Sequence, residues 1–115
     1  MSRTVPVLLD VVLVIVFAAI GRRSHAEGLD LAGIARTAAP FLAGTAVGWV
    51  IAVLALPAGP RTLTFGAVVV AATVIVGMLL RVLTGAGTAF SFVVVATVSL
   101  SVLLLGWRLI ARLVA

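Results

Sequence analysis

The sequence contains no cysteine, lysine, asparagine, glutamine or tyrosine. Without cysteine there is no disulfide framework, no thiol nucleophile and no thiolate metal site. One histidine and two methionines cannot complete a metal or haem shell, so no cofactor and no metal is expected. Charge is also scarce: only 10% of the 115 residues are charged, against 64% hydrophobic. A soluble domain of this length needs more polar residues to cover its surface, and the mean hydropathy of +1.43 makes lipid the expected solvent.

What charge there is comes as eight arginines against three acids, a formal balance of +5. Dispersed at the ends of apolar runs, these arginines suit headgroup anchoring and do not form the basic face that nucleic acid requires. No nucleophile and base stand at a workable spacing, so an enzyme is not expected.

The apolar runs predict an all-α membrane protein: one domain over residues 1–115, with transmembrane helices at about 5–21, 32–56, 63–81 and 89–107. The first run carries Asp10 inside it. A cleaved signal peptide is the competing reading, with Ser24-His25-Ala26 imitating a cleavage site. Arg22 and Arg23, directly after the apolar core, argue against it. Asp30 is placed to cap the second span, and Pro40 inside that span predicts a kink near Thr37 to Pro40. Pro40, Gly44 and Gly48 recur every four residues, a small-residue face suited to helix packing. Leu56 to Thr62 is a turn. In the third span Gly66, Thr73, Gly77 and Arg81 form a narrow stripe that should face protein. Trp107 beside Arg108 reads as an interfacial anchor, whereas Trp49, well inside its span, reads as a packing residue or cavity wall.

With these spans, the side holding both termini and the Pro57 turn has Arg3, Arg61, Arg108 and Arg112, and the other has Arg22, Arg23, Arg36 and Arg81. The tie leaves orientation undetermined and admits antiparallel copies in a dimer.

The blocks holding Asp10, Phe17 to His25, Thr37 to Phe41, Gly77 to Arg81, Ser91-Phe92 and Gly106 to Arg108 resemble an uncharacterised family of small four-span membrane proteins common in actinobacteria. The resemblance implies the fold and the bacterial plasma membrane and supplies no activity. The chain is also similar to dual-topology fluoride channels in length, span number and the glycine-rich approach to Thr88, Phe90, Ser91 and Phe92. It departs from them in having no asparagine and in breaking between spans.

An intramembrane acid marks either an ion pair or a proton pathway, and Arg108 is the geometrically sensible partner of Asp10. Arg22, Arg36 and Arg81, with the Thr88 and Ser91 hydroxyls and the backbone amides opening the fourth helix, could clasp an anion at one membrane face, and His25 could turn back to join them. The plain alternative is that the arginines anchor to lipid phosphates and His25 is a solvated loop residue. Two functions follow. The first is an oligomeric channel or transporter, as a homo-oligomer with a dimer favoured, for a small anion or proton-coupled solute, its pathway carried by Asp10, Arg22, His25, Thr37, Arg81, Thr88, Ser91 and Arg108. The second is a structural or accessory protein binding a partner or lipid through its small-residue faces. On the first reading, Arg81→Ala and Asp10→Asn each abolish function and leave insertion intact.

Overall fold

The computed structural model describes residues 2–24 and 28–114. Among them the chain forms helices α1 (Thr4–Ser24), α2 (Leu31–Ala55), α3 (Leu63–Leu83) and α4 (Phe90–Val114). Each is long and apolar enough to cross a membrane, so the protein is an all-α, four-helix membrane protein.

Local chemistry sets most of the helix ends. Asp30 caps α2 by accepting from the Gly33 N–H at 2.9 Å, and Thr62 caps α3 by accepting from the Phe65 N–H at 3.2 Å. The Asp30 carboxyl is held below its ordinary value, chiefly by that Gly33 bond, with smaller help from the Arg22 and Arg36 charges. At the end of α3, Gly85 takes a left-handed φ of 77°. This lets its N–H reach the Val82 carbonyl and the Ala86 N–H reach the Arg81 carbonyl, closing the helix as a Schellman turn.

Three ends run past the expected boundaries. Helix α1 continues through Arg22 and Arg23, α3 through Val82 to Leu83, and α4 through Arg108 to Val114. The apolar runs stop earlier, but arginine, leucine and alanine are good helix formers and carry the backbone onward. Helix α2 is continuous through Pro40.

The tightest packing is between α2 and α3. A Cβ added to Gly44 would lie 2.7 Å from the Ala72 carbonyl oxygen, and one added to Gly48 2.9 Å from the Val69 Cα. Glycine therefore brings the two backbones together, as small-residue faces do between membrane helices. The Phe41 ring packs over Gly77 in the same seam. Thr45 and Thr73 meet there, hydroxyl to hydroxyl at 2.9 Å, and each hydroxyl also lies within hydrogen-bond reach of the carbonyl four residues earlier in its own helix; with one hydrogen apiece, one threonine donates to its carbonyl while the other donates across the seam. No hydroxyl in the seam is left without a partner among the described residues.

The helices alternate in direction. Both chain ends and the α2–α3 turn therefore share one face, the terminal face. The α1–α2 and α3–α4 connections share the other, the loop face.

Candidate functional site

Two polar centres stand at opposite ends of the bundle. At the terminal face, Asp10 and Arg108 are both fully buried and joined by a two-pronged ion pair: Arg108 Nη2 donates to Asp10 Oδ2 at 2.7 Å and Nη1 to Oδ1 at 2.9 Å. Trp49 and Trp107 each donate an indole N–H to the same carboxylate, at 2.9 Å to Oδ2 and 2.9 Å to Oδ1. The carboxylate thus accepts four hydrogen bonds, close to its full capacity. Arg108 also donates from Nε to the Pro60 carbonyl and from Nη1 to the Leu104 carbonyl, each at 2.9 Å.

Aromatic rings enclose the guanidinium. Its central carbon lies 4.5 Å from the Trp107 ring centroid and 5.9 Å from that of Phe65, which itself meets Trp49 edge-on. Gly66 makes the space: a Cβ there would stand 2.7 Å from Arg108 Cδ. This one cluster ties α1, α2, α4 and the α2–α3 turn together. Its charges are mutually compensated and each of its buried nitrogens and oxygens has a hydrogen-bond partner, the condition under which a buried pair is tolerated.

The sequence placed Arg108 opposite Asp10, and the two meet. It did not foresee the tryptophans. Trp107 is no free headgroup anchor, because its N–H is turned onto Asp10. Trp49 is buried as expected, and its polar edge is also committed to Asp10. The available signal was depth: Asp10 and Trp49 lie at similar distances inside the same membrane face.

The loop-face centre is open. Arg22 and Arg81 end the first helix of each half of the chain, and each folds back to hold its own connection. Arg22 Nε donates to the Gly28 carbonyl at 2.7 Å and Arg81 Nε to the Gly87 carbonyl at 2.8 Å, six residues on in both cases. Arg22 also donates to the Thr37 hydroxyl at 3.1 Å and stands 3.7 Å from Asp30. The Arg81 guanidinium lies over the Phe92 ring, 4.6 Å from its centroid.

Between the two arginines is a pocket of about 460 Å³, walled by Arg22, Thr37, Arg81, Gly87, Ser91 and the Phe17–Phe92 side of the bundle. Phe17, Phe41 and Phe92 meet edge to face beneath it, with centroid separations of 5.2 and 6.2 Å. A pocket with two fixed guanidiniums and two hydroxyls on its wall, over an aromatic floor, is suited to an anion.

Of the other residues expected here, Thr88 is half-buried but does not line the pocket. His25 lies outside the described residues. Arg36 is exposed and lines a separate cleft of about 490 Å³ with Ala39, Pro40, Leu80 and Thr84. It departs from the expected three-arginine clasp because its neighbour Thr37 takes the pocket-facing side of α2. One residue along a helix turns the side chain by about 100°.

No curated protein and no solved structure matches the chain. A family model described as a protein of unknown function, DUF3054, matches residues 7–111. The match runs from before Asp10 to beyond Arg108 and includes both polar centres, and on it the chain belongs to that family of proteins of unknown function.

Proposed function

We propose that this protein is a transporter for an anionic solute in the bacterial plasma membrane, working as an assembly of more than one copy, with a dimer favoured. The observation that carries the reading is the pocket between Arg22 and Arg81, where two guanidiniums held by their own loops face the same 460 Å³ space. Fixed guanidiniums exchange an anion's hydration shell for directed hydrogen bonds with little reorganisation.

The opposite face supports a carrier over an open channel. There the Asp10–Arg108 pair and two indoles fill the space between the helices. Between the two centres lie the buried side chains of Val14, Phe41, Val69 and Leu100. A solute entering at the loop face therefore needs the terminal-face cluster to part, or a path contributed by a second copy. Asp10 in this reading is a latch and not a proton carrier, since the carboxylate is already engaged by Arg108 and both indoles.

Purified protein in liposomes loaded in turn with fluoride, chloride, phosphate and a pH dye tests the proposal. The expected result is flux of one anion that falls at least tenfold in Arg81→Ala and is retained in Arg112→Gln, an exposed charge on the terminal face. Equal flux in wild type and Arg81→Ala, or none for any of these ions from folded protein, contradicts transport through this pocket.

A further inference from the structure

The loop-face pocket does not end at its aromatic floor. Beside it, between α1 and α4, runs an apolar groove of about 340 Å³ that shares Phe17, Gly21 and Phe92 with the pocket and continues past Val95 and Ser99 to Val102. From Phe92 to Val102 the groove follows ten residues of α4, about 15 Å of helix. Half of a bilayer's hydrocarbon thickness is also about 15 Å. A cationic pocket at one membrane face thus opens into an apolar channel about one leaflet deep.

We infer that this combined site binds an anionic, phosphate-headed lipid, with the phosphate between Arg22 and Arg81 and one acyl chain in the α1–α4 groove. The inference rests on reading the pocket as an anion site and gives that site a lipid phosphate as its resident occupant, which a transported inorganic anion must displace.

The head is argued from charge. Arg81 donates only its Nε, to the Gly87 carbonyl, so its two Nη groups can offer a phosphate paired N–H donors, and the Ser91 hydroxyl and the first turn of α4 stand on the same wall. Arg22 adds its charge from the opposite wall, partly offset by Asp30 at 3.7 Å, and among the described residues no carboxylate lines the pocket itself. The tail is argued from shape and chemistry. A free inorganic anion makes no use of a groove walled by valine, leucine, isoleucine and phenylalanine, whereas an acyl chain gains packing along all of it. The two parts also meet in the right order, cationic at the membrane face and apolar toward the middle.

The test is native mass spectrometry of the purified protein in mild detergent, titrated with phosphatidylglycerol, with phosphatidylcholine, and with inorganic phosphate as competitor. Thermal unfolding first establishes that each variant is folded. The expected result is retention of one phosphatidylglycerol by wild type and at least tenfold weaker retention in each of three variants. Arg81→Gln removes a head contact, Ser91→Glu sets a carboxylate on the pocket wall, and Val95→Trp fills the groove at a lipid-exposed position. Arg112→Gln should retain the lipid as wild type does, and phosphatidylcholine should be retained at least tenfold more weakly.

Equal retention in Arg81→Gln and Arg112→Gln would mean that the lipid is only annular and would overturn the inference. Competition by inorganic phosphate, with Val95→Trp unaffected, would also overturn it while leaving a free-anion site and the transport reading intact. If Val95→Trp splits an oligomer without weakening lipid retention, the groove is an interface between copies and the inference again fails. Loss of both lipid retention and anion flux in wild-type protein would remove the transport reading together with it.

Discussion

Replacing Asp10 with alanine is expected to destabilise the folded bundle by about 3–5 kcal/mol, the usual cost of leaving one partner of a buried ion pair uncompensated. The variant strands the Arg108 guanidinium and the Trp49 and Trp107 N–H groups, all of which donate to the lost carboxylate. Asp10→Asn keeps the shape but loses the charge, and should fall in the same range. The sequence alone pointed to a loss of function with insertion intact. The geometry instead makes packing of the inserted helices the quantity at stake.

Unfolding in mild detergent with increasing dodecyl sulfate measures this directly, because the chain has only two tryptophans and both indoles sit on Asp10. Their emission should shift in the variant before global unfolding begins. Pairing Asp10→Leu with Arg108→Met should recover part of the loss, since it removes both charges but leaves two indole N–H groups without their acceptor. Wild-type stability in Asp10→Ala would show that the pair holds nothing together.

Gly44→Leu should be nearly as damaging, costing about 3 kcal/mol, the upper range for overpacking a close contact. Its Cβ would stand 2.7 Å from the Ala72 carbonyl oxygen and 2.8 Å from the Thr73 Cα, both backbone atoms that no rotamer change can move aside. Helices α2 and α3 must separate, which also pulls apart the Thr45–Thr73 hydroxyl pair. Gly106→Ala is the matched control, because a Cβ there meets nothing within 4 Å. It should leave stability unchanged or raise it by up to about 1 kcal/mol through helix propensity. The same denaturant titration compares the two, and equal stability for both variants would contradict the close α2–α3 seam.

The contrast between these glycines also shows where sequence reasoning reaches and where it stops. The four spans were legible because apolar runs are separated by Gly, Pro, Asp and Arg breaks, each with its own local chemistry. The Asp30 cap and the Gly44–Gly48 face followed from spacing. The Asp10–Arg108 pairing followed from counting which helix ends share a membrane face.

The inward side of each helix was harder to read. Helices α1 and α2 are apolar almost all round, so periodicity carries little information about which side meets protein and which meets lipid. Chain position alone therefore groups Arg36 with Arg22 and Arg81, although it lines a different cleft. The roles of Trp49 and Trp107 are invisible within either helix alone, because each is set by an acid at matching depth on another helix. The loop-face pocket has no sequence signature beyond its two arginines, since its volume is what the Phe17, Phe41 and Phe92 packing leaves open.

The central claim is that the bundle is open at the loop face and sealed by the Asp10–Arg108 cluster at the terminal face. A chain without cysteine allows this to be measured by single-cysteine labelling in nanodiscs, where both faces meet water. A charged thiosulfonate reagent should modify Ser91→Cys rapidly and should leave Leu104→Cys, fully buried beside Arg108, unmodified over the same interval. Leu104→Cys reacting as fast as Ser91→Cys would show that water passes the cluster and would contradict the account.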